Sequence, residues 1–205
     1  MIQTRTTVRL AAVRIAIVSA AALALTGCLG LGGGKAPPSL LSLTPAKVAP
    51  AGALASGTGA TAIMVMEPDT DKRLAVQRVP VQISASSVAY LKDALWVERP
   101  ARLFRGLLAE TLRAQSGRLV LEDDQAAPLI GTRLAGRLLD MGYNAQDMTA
   151  VVRFDAFRTG PKGEVATKRF EAVVPGVPAK PEAVGAALNR AANDVAGQVA
   201  EWMAQ

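Results

Sequence analysis

Residues 149–160, TAVVRFDAFRTG, set Val152, Phe154 and Ala156 on one side of an extended chain and Arg153 and Asp155 on the other. Side chains on a strand alternate between faces, so this pattern predicts a sheet packed on one side and wet on the other. Residues 166–175, ATKRFEAVVP, repeat the pattern, with Phe170, Ala172 and Val174 against Arg169 and Glu171. GPKG at 160–163 supplies a hairpin turn between the two. Upstream, TRLAGRLLDMGY at 132–143 meets the first of these strands through the turn-prone NAQD. Connections this short call for antiparallel pairing.

Other segments read as helices. Pro100 stands where a helix start tolerates a missing N–H, and Leu103, Phe104, Leu107, Leu108, Thr111 and Leu112 recur at helical spacing up to Gly117. A second helix opens at Pro181 and carries Val184, Ala187, Leu188, Ala191, Ala192, Val195, Val199, Trp202 and Met203 on one stripe. Its many alanines allow close approach to a sheet or to another helix. ATAIMVMEP at 60–68 and RLVLE at 118–122 read as strands, and residues 79–84 as an edge strand. The expected fold class is α+β: a mostly antiparallel sheet with two amphipathic helices packed on one face.

The amino terminus has a different character. Arg5, Arg9 and Arg14 precede an apolar run from Ile15 to Leu25, the length of a signal-peptide core and too short to cross a bilayer comfortably. Leu25-Thr26-Gly27-Cys28 follows and contains the only cysteine of the chain. The tetrapeptide resembles the bacterial lipobox. That resemblance implies a thioether-linked diacylglycerol on Cys28, cleavage after Gly27 and acylation of the new terminus, with palmitate among the acyl groups. Two or three chains anchor stably where one holds only marginally. Residues 1–27 are thus expected to be a lipoprotein signal peptide, 28–59 a flexible Gly/Pro/Ala-rich tether, and 60–205 a single domain. Leu29, where Asp commonly signals inner-membrane retention, points by the same resemblance to the periplasmic face of the outer membrane.

Composition narrows the chemistry. With no histidine, imidazole acid–base catalysis, triads and zinc–histidine sites are excluded. A lipidated Cys28 removes disulfides and thiol catalysis, so packing alone must hold the fold. The net charge of +6 falls to +3 once the leader, with three arginines and no acid, is removed. No basic run stands out and aromatics amount to 4%, which argues against a nucleic-acid reader. GGGK at 32–35 lacks the earlier glycine and the following Ser/Thr of a phosphate loop. GTGATA at 57–62 leads into a strand rather than from strand to helix, the wrong context for a dinucleotide site. Glu122, Asp123 and Asp124 read as a solvated strand end, and Asp69 and Asp71 as turn residues. No cofactor, metal site or catalytic group is expected.

In order, the lipobox, the Gly/Pro tether, a first strand, Tyr90, Trp96 and Pro100, and the helix LFRGLLAETLRAQSG resemble the ABC-type transport auxiliary lipoproteins, the PqiC-like family. The resemblance covers most of residues 40–205. It implies a layout similar to the TolB amino-terminal domain and a non-catalytic accessory of a lipid-handling system. The partners implied are an MCE-domain periplasmic protein and the permease and ATPase of the same ABC system, with ring-like self-assembly of the lipoprotein. Tyr90 and Trp96 are the candidate partner-docking residues, since aromatic side chains are favoured at interface hot spots. Each also has a structural reading, Trp96 as a staple over the helix start. Leu40, Leu41 and Leu43 form a strand, either within the chain or added to a neighbour. A carrier holding an acyl chain between sheet and helices is the alternative function.

Overall fold

The computed structural model describes residues 39–122 and 131–205. The leader, Cys28, GGGK, Asp123 and Asp124 lie outside the described residues. Among the described residues eight strands and two helices follow in chain order: β1 (Ile63–Val65), β2 (Asp69–Thr70), β3 (Arg78–Ser84), β4 (Ser87–Leu95), α1 (Pro100–Ser116), β5 (Val120–Leu121), β6 (Thr132–Asn144), β7 (Thr149–Thr159), β8 (Val165–Val174) and α2 (Pro181–Met203).

The long strand β6 is the spine. On one flank it pairs antiparallel with β7, and β7 with β8, in the register their short turns impose. Asn144 Oδ1 accepts the Gln146 N–H at 2.9 Å to shape the first turn, and Gly163 takes φ 84° in the second. The other flank of β6 is shared end to end by three parallel partners. Ile63 lies opposite Thr132, Asp69 opposite Arg137, and Val81 opposite Tyr143. Beyond them β5 extends β1 and β4 extends β3.

The strand expected at 79–84 is therefore internal rather than an edge. It lies between β4 and β6, with Val79 and Val81 buried. Proline is disfavoured inside a sheet because it cannot donate to the ladder. Here Pro80 sits at a register shift, and Gly142 makes room for it: a Cβ on Gly142 would lie 2.7 Å from the Pro80 carbonyl oxygen.

Both helices cover the face bearing Ala150, Val152, Phe154 and Ala156. Pro100 opens α1, and Gly117, at φ 62°, closes it. Buried Phe104 meets Phe154 edge-on at 5.3 Å, a geometry favoured by the ring quadrupoles. The alanine stripe of α2 lies against β7 and β8, and Trp202 packs edge-on to Phe170 at 5.7 Å. Thr111, polar on the buried face of α1, is satisfied by donating to the Leu107 carbonyl at 2.8 Å. No helix among the described residues is long and apolar enough to cross a membrane.

The compact body begins at Ser39, not at residue 60. Leu41 is inserted beside β4: its N–H donates to the Leu95 carbonyl at 2.7 Å and its own carbonyl accepts from Val97 at 2.9 Å. The side chain of Leu41 fills a notch at Gly185 of α2, where a Cβ would come within 2.5 Å of Leu41 Cδ2. Asn189 accepts the Thr44 N–H at 2.8 Å and Asn193 that of Ala46 at 2.7 Å, while Glu110 accepts that of Ala49 at 2.8 Å. The strand reading of the leucines thus holds within the chain, as a single bridge between Leu41 and Trp96.

Candidate docking surface

Among the described residues the sheet face opposite the helices is open, and its side chains are set by the same register that builds the core. Across β6, β7 and β8 one row reads Arg137, Asp155, Arg169, and the next reads Asp140, Arg153, Glu171. Opposite charges stand opposite each other along both rows, the favourable cross-strand arrangement. Arg169 grips Asp155 through two hydrogen bonds, at 2.6 and 2.7 Å, and Arg153 bonds Glu171. At the far end Arg73 reaches Asp140 at 3.7 Å and Asp71 at 3.0 Å.

The two aspartates in these rows differ in their surroundings. The hydrogen bond from Arg169, reinforced by its charge and those of Arg153 and Arg137, holds the Asp155 carboxyl below its usual value. Burial pushes Asp140 upward, and the nearby Arg73 and Arg153 only partly oppose it. The Arg169 guanidinium is raised by its bond to Asp155.

Along one side of these rows runs an open groove of about 930 Å³ whose walls include Met66, Ala135, Arg137, Phe157, Lys168 and Arg169. Phe157 is 40% exposed, a large apolar side chain between charged neighbours. Mixed charge, a half-exposed aromatic ring and the absence, among the described residues, of a covering helix suit a surface that binds protein. Among the described residues no group of three or more histidine, cysteine, aspartate or glutamate side chains could hold a metal.

The two aromatic residues proposed from sequence are not together on this face. Trp96 is 1% exposed, its backbone N–H donates to the Gln77 carbonyl at 2.9 Å, and its indole N–H is buried without a hydrogen-bond partner among the described residues. Its ring fills the core ahead of α1, so it presents no surface for docking. Tyr90 is half-buried on β4, with the Arg78 guanidinium 4.5 Å above its ring. Of the acidic residues, Asp71 accepts from the Arg73 backbone at 3.1 Å as a turn residue, whereas Asp69 belongs to β2. Glu122 is paired with Arg113 at 2.7 Å.

The charged rows were not anticipated as a site. Their signal is present in the alternation of β7 and β8, but matching the charges across strands requires the register, including the bulge between Leu138 and Asp140.

Comparison with known proteins decides the family. The model of the ABC-type transport auxiliary lipoprotein component matches residues 42–200. The chain belongs to this family. The auxiliary lipoproteins are components of ABC-type transport, which gives the chain transport proteins as partners and a membrane-associated, periplasmic setting. Among solved structures, protein XCC0632 from Xanthomonas campestris, of family DUF330, aligns with a TM-score of 0.65 at 15% identity, over 81% of this chain and 95% of its own. A crystal structure of an uncharacterized protein aligns at 0.63 and 13% identity, over 80% of this chain and 99% of its own. Likeness at these identities concerns the fold, which this auxiliary lipoprotein shares with both. The comparison with curated proteins finds no match.

Proposed function

We propose that the chain is an outer-membrane-anchored accessory of an MCE-type intermembrane lipid transport system. It is held by acyl chains on Cys28 at the periplasmic face and works by docking to the MCE-domain protein, and through it to the permease and ATPase. Self-assembly, the ring-like form included, belongs to the same reading. The observation that carries the docking role is the sheet face left open beside a fully packed core, with rows of paired charges and the exposed Phe157. Tyr90, half-buried on the far strand, remains a contact residue in this proposal, and Trp96 drops out of it.

The carrier alternative requires space for an acyl chain between sheet and helices. That layer is occupied by Phe104, Phe154, Leu108, Leu112, Leu138 and Leu188, each at most 1% exposed. Affinity capture of the native lipoprotein from detergent extracts tests the proposal. Recovery of the MCE protein with its permease and ATPase is expected. Recovery of none of them, with the bait intact, overturns it.

A further inference from the structure

The free edge of β8 is long, regular and unprotected. Among the described residues it pairs with β7 alone, over ten residues without a register shift and without proline. Edges of this kind template pairing with another chain unless charges, bulges or prolines blunt them. Here the charges do not simply blunt the edge. Arg169 and Glu171 stand on the open face on either side of Phe170, one of each sign.

We propose that β8 pairs antiparallel with β8 of a second copy of this chain, centred on Phe170. A twofold axis perpendicular to the sheet keeps each face on its own side, so open-face residues meet only open-face residues. Centred on Phe170, the pairing sets Arg169 opposite Glu171 of the second copy, and Glu171 opposite its Arg169. Shifting the centre to Arg169 sets arginine against arginine, and centring it on Glu171 sets glutamate against glutamate. Among these neighbouring registers only the Phe170 centre matches opposite charges, and it does so twice.

The rows then run unbroken through the joint. Arg137, Asp155 and Arg169 continue into Glu171, Arg153 and Asp140 of the second copy, alternating in sign throughout. The helix-side face agrees. Lys168 of the second copy comes to lie opposite Ala172, which lines a groove whose other wall includes Asp194 and Glu201 of α2. On the open face Thr167 lies opposite Val173 across the joint, covering a valine that is 47% exposed in one copy. The contact is isologous, the same strand serving both partners. It does not rest on the transport role.

The test uses the detergent-solubilised full chain and its size by light scattering corrected for detergent. The unsubstituted protein is expected to form pairs, or assemblies with an even number of copies where the ring-like form is also present. Arg169→Glu gives an edge with two acids, and Glu171→Arg an edge with two arginines. Each variant alone loses pairing by at least tenfold in dissociation constant, and an equimolar mixture regains it, because two acids then face two arginines. Single variants that pair as well as the parent, or a mixture that stays apart while both variants remain folded by circular dichroism, overturn the proposal. Hydrogen exchange of residues 165–174 in the unsubstituted protein gives a second readout. Protection that rises with protein concentration supports the edge contact, and protection independent of it refutes the contact.

Discussion

Seating Leu41 against Gly185 ties the segment after Ser39 to the last helix, and a double-mutant cycle measures that tie. Leu41 is partly buried and Gly185 fully so. Truncating a buried leucine to alanine costs about 2–5 kcal/mol, and partial burial places Leu41→Ala near the lower end, about 2 kcal/mol. Gly185→Ala has two opposed effects. Alanine in a helix interior is favoured over glycine by about 1 kcal/mol. The new Cβ would lie 2.5 Å from Leu41 Cδ2, and overpacking of this kind costs roughly 1–3 kcal/mol. The single substitution should therefore destabilise by about 1 kcal/mol net. With Leu41 already truncated the collision disappears, and the same Gly185→Ala change should stabilise by about 1 kcal/mol. The expected coupling is about 2 kcal/mol, read from urea unfolding of the four forms of Ser39–Gln205. Additivity within roughly 0.5 kcal/mol would show that Leu41 does not occupy the notch.

Gly197 gives the opposite expectation. A Cβ there meets nothing within 4 Å, so Gly197→Ala should raise stability by roughly 0.5–1 kcal/mol in the same unfolding assay. Carboxyl titration by NMR should separate the two sheet aspartates, Asp155 titrating below the ordinary 3.8 and Asp140 above it. By linkage, the stabilisation from Asp155 is complete above pH 3.8 and is lost as pH falls through its lower folded value. Asp140 acts in the opposite sense: its contribution declines as pH rises from 3.8 through its raised folded value. Coincident titration of the two carboxyls contradicts the environments described for them.

The alternating strands β7 and β8 and the helix from Pro181 are legible because their burial follows one simple period each. Val152, Phe154 and Ala156 are buried where the period of two places them, and the alanine stripe of α2 where the helical period does. Strand β4 carries no such signal. Ser87, Val88, Ala89, Lys92 and Asp93 are all exposed, so the edge position leaves almost no alternation to read. The same omission made β3 look like an edge. Residues 41–49 have a linker's composition, yet they are fixed by backbone donors to Asn189, Asn193 and Glu110. Those acceptors are distant in sequence, and neither composition nor periodicity reports them. Trp96 illustrates a different limit: an aromatic residue before a helix is compatible with surface or core, and only packing decides.

Anchorage at Cys28 underlies the proposed role, and intact-mass analysis of the natural product tests it most directly. A chain beginning at Cys28, carrying diacylglycerol and an amide-linked acyl group and recovered with the outer membrane, is the expected result. An unmodified Cys28, or a chain that stays in the soluble fraction, contradicts the account.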